Sequence, residues 1–273
     1  MSDTKHPDLE LCAALVRSGA TRGDAEQQAR LPTLLALAGA SGRFVRMTPA
    51  ERWQLFDAAL AGPRPSMAFE ALRRARVLAV LLPELEALFG VPQLSDGPQW
   101  QDVGEHQWRF VDEIARLGEP VALRFAALVH KLGKAGTPRE IWPSHYKHEL
   151  RAHAALDALA RRVAVPAAAL DLAHLAIDEL DRVHKVADLR AGPIAQLLQR
   201  VQARQRPERF EQLLTLAACD WAATPGHCLA DYPKAARLRL ALKAAAGVPV
   251  QGLSDDDALQ AQAEAVYAAL RAR

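Results

Sequence analysis

No window of this chain alternates apolar and polar residues two by two, while apolar residues recur at helical spacing in one segment after another. Residues 65–80 set Met67, Leu72, Val77, Leu78 and Val80 among Arg73, Arg74 and Arg76. Around 150–163, Leu150, Ala154, Leu156, Leu159 and Val163 recur every two to four residues. Pro207 suits a first helical turn ahead of Phe210, Leu213, Leu214 and Ala217. Ser254 precedes Asp255, Asp256 and Asp257, a cap followed by an acidic first turn. Alanine, leucine and arginine are abundant and only 5% of residues are aromatic, which favours helix over strand. The expected fold is all-α.

Proline and glycine divide the chain. Gly62-Pro63-Arg64-Pro65 separates two helices, and residues 90–104 and 133–144 are the longest loop-like stretches. Shorter breaks fall at Val165-Pro166, Gly192-Pro193, Arg206-Pro207, Pro225-Gly226 and Val248-Pro249, as expected of turns between packed helices. Residues 31–38 are again helical in character, and the extreme N-terminus is expected to be partly disordered.

Charge and length exclude several classes. With 34 Lys+Arg against 32 Asp+Glu, the net charge is +2, too little for a polybasic nucleic-acid coat, so any RNA site must be a local patch. No apolar stretch reaches the roughly 18 residues of a membrane span. The first residues lack the basic-then-apolar order of a secretory signal. Cys12, Cys219 and Cys228 make an odd count without CxxC spacing, which argues against a disulfide scaffold. A cytoplasmic protein is expected.

Histidines are the first candidates for chemistry. His106 opens a helical run, His130 ends an apolar one, and His145 and His148 lie three apart with His153 beyond. Asp220 falls near an apolar helix face beside Leu213, Leu214, Leu216 and Ala217, where a bare carboxylate is costly. It is expected either to pair with an arginine or to belong to a site. Imidazoles and a carboxylate from separate helices can hold a divalent metal that activates water. His6, His174, His184 and His227 are expected as surface or capping side chains.

Residues 80–92 (VLLPELEALFGVP) resemble the segment joining neck and tail in bacterial tRNA nucleotidyltransferases, the CCA-adding family. His106 falls where that family's HD phosphohydrolase domain has its first histidine. Residues 124–134 (RFAALVHKLGK) resemble its RFA-x-L-x-HDLGK signature, and 142–148 (WPSHYKH) the loop that follows, with His148 at a ligand position. Residues 161–166, 206–209, Asp220 and 231–233 keep the register. The likeness covers roughly residues 35–273. It implies a helical neck and body over 1–92, an HD-like domain over 93–222 and a helical tail over 223–273.

Two departures qualify what the resemblance implies. The chain holds no Gly-Ser followed by Asp-x-Asp, the pattern of the family's nucleotidyl-transfer head, so it is not expected to add CCA by itself. Lys131 stands where the metal-bridging aspartate belongs, and Leu180 where a further ligand histidine belongs. His106, His130, His148 and Asp220 remain, enough for at most one divalent ion (Mg2+, Mn2+ or Ni2+). Lys131 is expected to take over the charge of the missing metal and pair with Asp220.

The family grips tRNA through phosphates, and arginine suits bidentate phosphate contacts. Arg73, Arg74, Arg76, Arg161, Arg162, Arg206 and Arg209 are the candidates, with Arg200 and Arg204 beside them. The leading expectation is a headless relative that binds tRNA or another structured RNA, alone or with a separately encoded head. The alternatives are a divergent metal-dependent phosphohydrolase acting on phosphomonoesters or 2′,3′-cyclic phosphates, and a structural interaction module.

Overall fold

The computed structural model describes residues 25–94 and 100–272, together with Arg17. His6, Cys12 and the N-terminal segment expected to be disordered lie outside the described residues. The described chain is all-α but for one ribbon, in which β1 (Pro92–Gln93) pairs antiparallel with β2 (Gln101–Asp102). It falls inside the stretch expected as loop, and its strands are too short to show any two-residue period. Two compact units divide between His174 and Leu175.

The first unit opens with α1 (Ala25–Ala40) and α2 (Arg43–Arg46). Helix α3 (Pro49–Leu60) starts in a capping box: Glu51 N donates to Thr48 Oγ1 while Thr48 N donates to Glu51 Oε2. The helical run expected over 65–80 is broken. Helix α4 (Pro65–Arg74) ends where Arg76 adopts φ 58°, and α5 (Leu78–Leu81) and α6 (Pro83–Glu86) follow. Val77 N donates to Leu72 O and Arg76 N to Arg73 O, both at 2.9 Å, so the stop is a Schellman motif with arginine in the position that favours glycine.

Helices α7 (Val103–Arg116) and α8 (Val121–Val129) pack together, and a 3₁₀ turn over Leu132–Gly136 packs on α9 (His148–Arg162). Phe56, Phe69, Phe110 and Phe125 are sealed in this core, and Trp108 stacks against Phe69 and meets Phe89. Arg124 is buried as a cap. Its guanidinium donates to the Leu60, Gly62 and Glu119 carbonyls at 2.6–2.9 Å, satisfying the C-terminal end of α3.

Helix α10 (Ala167–His184) contains the boundary between the units. The second unit continues through α11 (Ala191–Arg200), α12 (Pro207–Ala222), α13 (Lys234–Ala246) and α14 (Asp255–Arg271). Helix α14 packs on α11 and α13, and Leu197, Leu213, Leu216, Leu238 and Val266 are fully buried. Ser254 Oγ caps α14 by accepting from Asp257 N at 3.2 Å, as the acidic start predicts. Arg200 clasps the buried Glu179 through Nε at 2.7 Å and a second guanidinium nitrogen at 3.0 Å. No helix among the described residues is long and apolar enough to cross a membrane.

Candidate functional site

The first unit carries three of the expected ligand histidines, each held by its Nδ1. His106, near the start of α7, donates Nδ1–H to Gln101 Oε1 at 3.0 Å. His130, capping the end of α8, has Nδ1 3.1 Å from the Ala127 carbonyl. Gln107 Nε2 spends its two hydrogens on the Ala127 and Leu128 carbonyls at 2.7 and 3.1 Å, so the His130 nitrogen is the donor in its own contact. His148, first residue of α9, donates Nδ1–H to the His145 carbonyl at 3.2 Å. All three rings are buried and share one tautomer, set by these carbonyl contacts.

Their placement falls short of a closed metal centre. Among the described residues, the ligand atoms of these three imidazoles do not all come within 4.8 Å of one another. Lys131, buried beside His130 in sequence, puts an ammonium where two cations would need a bridging carboxylate. The donor set does not fit a two-metal centre.

Lys134 and Gly133 of the HKLGK stretch have structural work. Lys134 Nζ donates to the buried Gln93 Oε1 at 2.8 Å, tying the 3₁₀ turn to β1. Gly133 sits where a Cβ would meet the His148 carbonyl oxygen at 2.0 Å and Ala152 N at 2.4 Å. Only glycine allows that turn to lie against α9, and this approach places His148.

His145 forms a second anchor. Its ring is 1% exposed, with Nε2 donating to the Pro92 carbonyl at 2.6 Å and Nδ1 2.6 Å from Thr137 Oγ1. Burial pushes this imidazole below its ordinary pKa, the Pro92 carbonyl pulls the other way, and Lys134 lowers it further. Thr137 Oγ1 in turn donates to the Lys134 carbonyl at 2.7 Å and accepts from Trp142 Nε1 at 2.9 Å. His145 thus locks the loop that leads into α9 rather than offering a ligand.

The second unit holds Asp220 and Leu180. Asp220 is buried on α12, and an imidazole meets it: His184 Nε2 lies 2.8 Å from Asp220 Oδ2. Tyr232 packs edge-on to His184, and burial with the nearby Asp220 carboxylate pushes its phenol pKa upward. Leu180 is buried, one helical turn before His184 on the same helix. That spacing was the signal for His184, which is no surface side chain. His174 is half-buried, with its Nδ1 3.0 Å from that of His153. His227 does cap, donating to the Trp221 carbonyl near the end of α12.

The arginines differ in their exposure and in the contacts that hold them. Arg73 is clamped on Glu70 at 2.8 Å and lies over the Phe89 ring, and Arg162 grips Glu84 at 2.6 and 2.8 Å. Arg74 reaches the same Glu70 yet its side chain stays 69% exposed. Arg76 and Arg161 in the first unit, and Arg204 and Arg206 in the second, are exposed, while Arg209 is half-buried.

No protein-family model matches the chain. Curated relatives do. A multifunctional CCA protein of Cupriavidus taiwanensis is 39% identical over 248 residues, covering 91% of this chain and 60% of that protein. Those of Laribacter hongkongensis and Chromobacterium violaceum are 41% and 40% identical over 207 and 229 residues, covering 51% and 56% of their own lengths. The chain spans about half to three-fifths of the relatives it matches, and over that span it is a member of the multifunctional CCA protein family.

Proposed function

We propose that this chain is an RNA-binding module of tRNA 3′-end processing, gripping tRNA or similarly structured RNA through exposed arginines without a nucleotidyl-transfer centre among its own residues. The observation that carries it is the 39–41% identity to multifunctional CCA proteins across most of the chain. Arg74, Arg76 and Arg161 supply phosphate contacts from the first unit and Arg204 and Arg206 from the second. Arg73 and Arg162, held by Glu70 and Glu84, position their helices instead. Nucleotide addition to the bound 3′ end would need a transferase centre beyond these residues, and a cytoplasmic location goes with this reading. A gel shift of the full chain with unmodified tRNA at low salt tests it. The Arg76→Glu/Arg161→Glu variant should bind at least tenfold more weakly, and unchanged binding would overturn the assignment of those residues.

A second reading, a metal-dependent phosphohydrolase of one ion, is favoured by the shared tautomer of His106, His130 and His148. It is tested by metal analysis and by turnover of a phosphomonoester with Ni2+, Mn2+ or Mg2+. Lys131→Asp should raise metal affinity under this reading. No turnover and no gain in affinity would remove it.

A further inference from the structure

Two of the four non-glycine residues with positive φ among the described residues flank one side chain: His145 at φ 51° and Lys147 at φ 57° stand on either side of Tyr146. Such conformations run against the preference of these residue types and persist only where the surroundings over-determine them. Here they do. The His145 ring is clamped to the Pro92 carbonyl at 2.6 Å, and the His145 carbonyl accepts from His148 N at 3.0 Å. The Lys147 carbonyl accepts from Arg151 Nη1 at 3.2 Å. What this fixed corner holds out to solvent is an aromatic ring. Tyr146 is 68% exposed, more than Trp100 or Tyr267, the other exposed Trp and Tyr rings among the described residues. A lone surface aromatic needs no explanation, but one held between two strained residues does.

The neighbours of the ring indicate its ligand. Lys147 Nζ lies 5.3 Å from the Tyr146 ring centroid. The exposed Leu150 and the half-buried Arg151 follow on the first turn of α9. A planar apolar face beside two cations suits a ligand that is planar at one end and anionic at the other, as a nucleotide is. A partner protein would need a larger continuous apolar surface than one ring and one leucine supply.

We propose that Tyr146 is a stacking platform for an unpaired base of bound RNA, with Lys147 and Arg151 meeting the phosphate of the same nucleotide. This rests on the RNA-binding reading above and adds selectivity to it. Phosphate contacts by exposed arginines do not depend on base pairing, whereas a stacked base must be free of its duplex. Tyr146 thus favours RNA with a single-stranded end or loop.

The test is fluorescence anisotropy of the full chain with three labelled probes: unmodified tRNA, a short single-stranded oligoribonucleotide and a blunt RNA duplex of the same length. Each variant is first checked by circular dichroism. Tyr146→Ala should weaken tRNA and the single strand about fivefold or more, leave the duplex unchanged, and keep the salt slope of the unaltered chain, because stacking releases no counterions. Tyr146→Phe, which keeps the ring, should bind as the unaltered chain does. Binding of tRNA and the single strand that Tyr146→Ala leaves unchanged overturns the platform while the RNA reading stands, and so does a Tyr146→Phe loss equal to that of Tyr146→Ala. An unaltered chain that binds none of the three probes removes the RNA reading and the platform with it. Sedimentation of the same proteins covers the remaining occupant: self-association abolished by Tyr146→Ala, with RNA affinity intact, gives this face to a second copy and overturns the proposal.

Discussion

Gly133 lies so close to His148 that a methyl group on its Cα would sit 2.0 Å from the His148 carbonyl oxygen. The obstacle is backbone on both sides, Ala152 N included, so no side chain can rotate away. Gly133→Ala must therefore push the 3₁₀ turn off α9 and shift His148 with it. A loss of about 3 kcal/mol is expected, at the upper end for overpacking, read as a lower urea midpoint with unchanged slope. An unchanged midpoint would mean that the turn and α9 are not in this contact.

Arg76 closes α4 from a left-handed conformation at φ 58°, which costs a non-glycine residue about 1 kcal/mol. Arg76→Gly should raise stability by about that amount. If Arg76 also touches RNA phosphates, the same variant should bind tRNA more weakly while melting at a higher temperature. Paired melting and binding measurements separate the two effects.

Helix ends were legible where the cap chemistry is local. Pro207 and Ser254 mark the starts of α12 and α14, and the apolar spacing around 150–163 belongs to α9. The break inside 65–80 was not legible, because it depends on an arginine taking a turn that sequence rules give to glycine. At the site, the positions of Lys131, Gly133 and His148 could be read from the resemblance, but their roles could not. Gly133 matters through backbone atoms fifteen and nineteen residues away in His148 and Ala152. Asp220 and His153 meet imidazoles 36 and 21 residues distant, contacts that only the packed fold reveals.

His145 predicts a pH dependence. Its folded pKa lies below the ordinary 6.5, so the unfolded chain binds the proton more readily. The contribution is favourable above pH 6.5 and is lost as pH falls from there through the lower folded value. The melting temperature should drop over this window, and His145→Asn should flatten that part of the profile even though the variant is less stable throughout. Parallel profiles would contradict the assignment.

Arg124 satisfies three carbonyls with one planar fork, a geometry lysine cannot reproduce. Arg124→Lys should cost about 2 kcal/mol, on the scale of a lost charge-assisted hydrogen bond, and Arg124→Ala more. Chemical denaturation of the two variants against the unaltered chain checks the order.

The central claim is that exposed arginines on this chain grip RNA phosphates, and tRNA affinity measured across a salt series tests it most directly. Log affinity should fall linearly with log salt, and each phosphate contact removed, as in Arg161→Ala or Arg204→Ala, should lower the slope by about 0.7–0.9. A chain that forms no complex with tRNA even at about 50 mM salt, or one whose slope no arginine variant changes, would contradict the account.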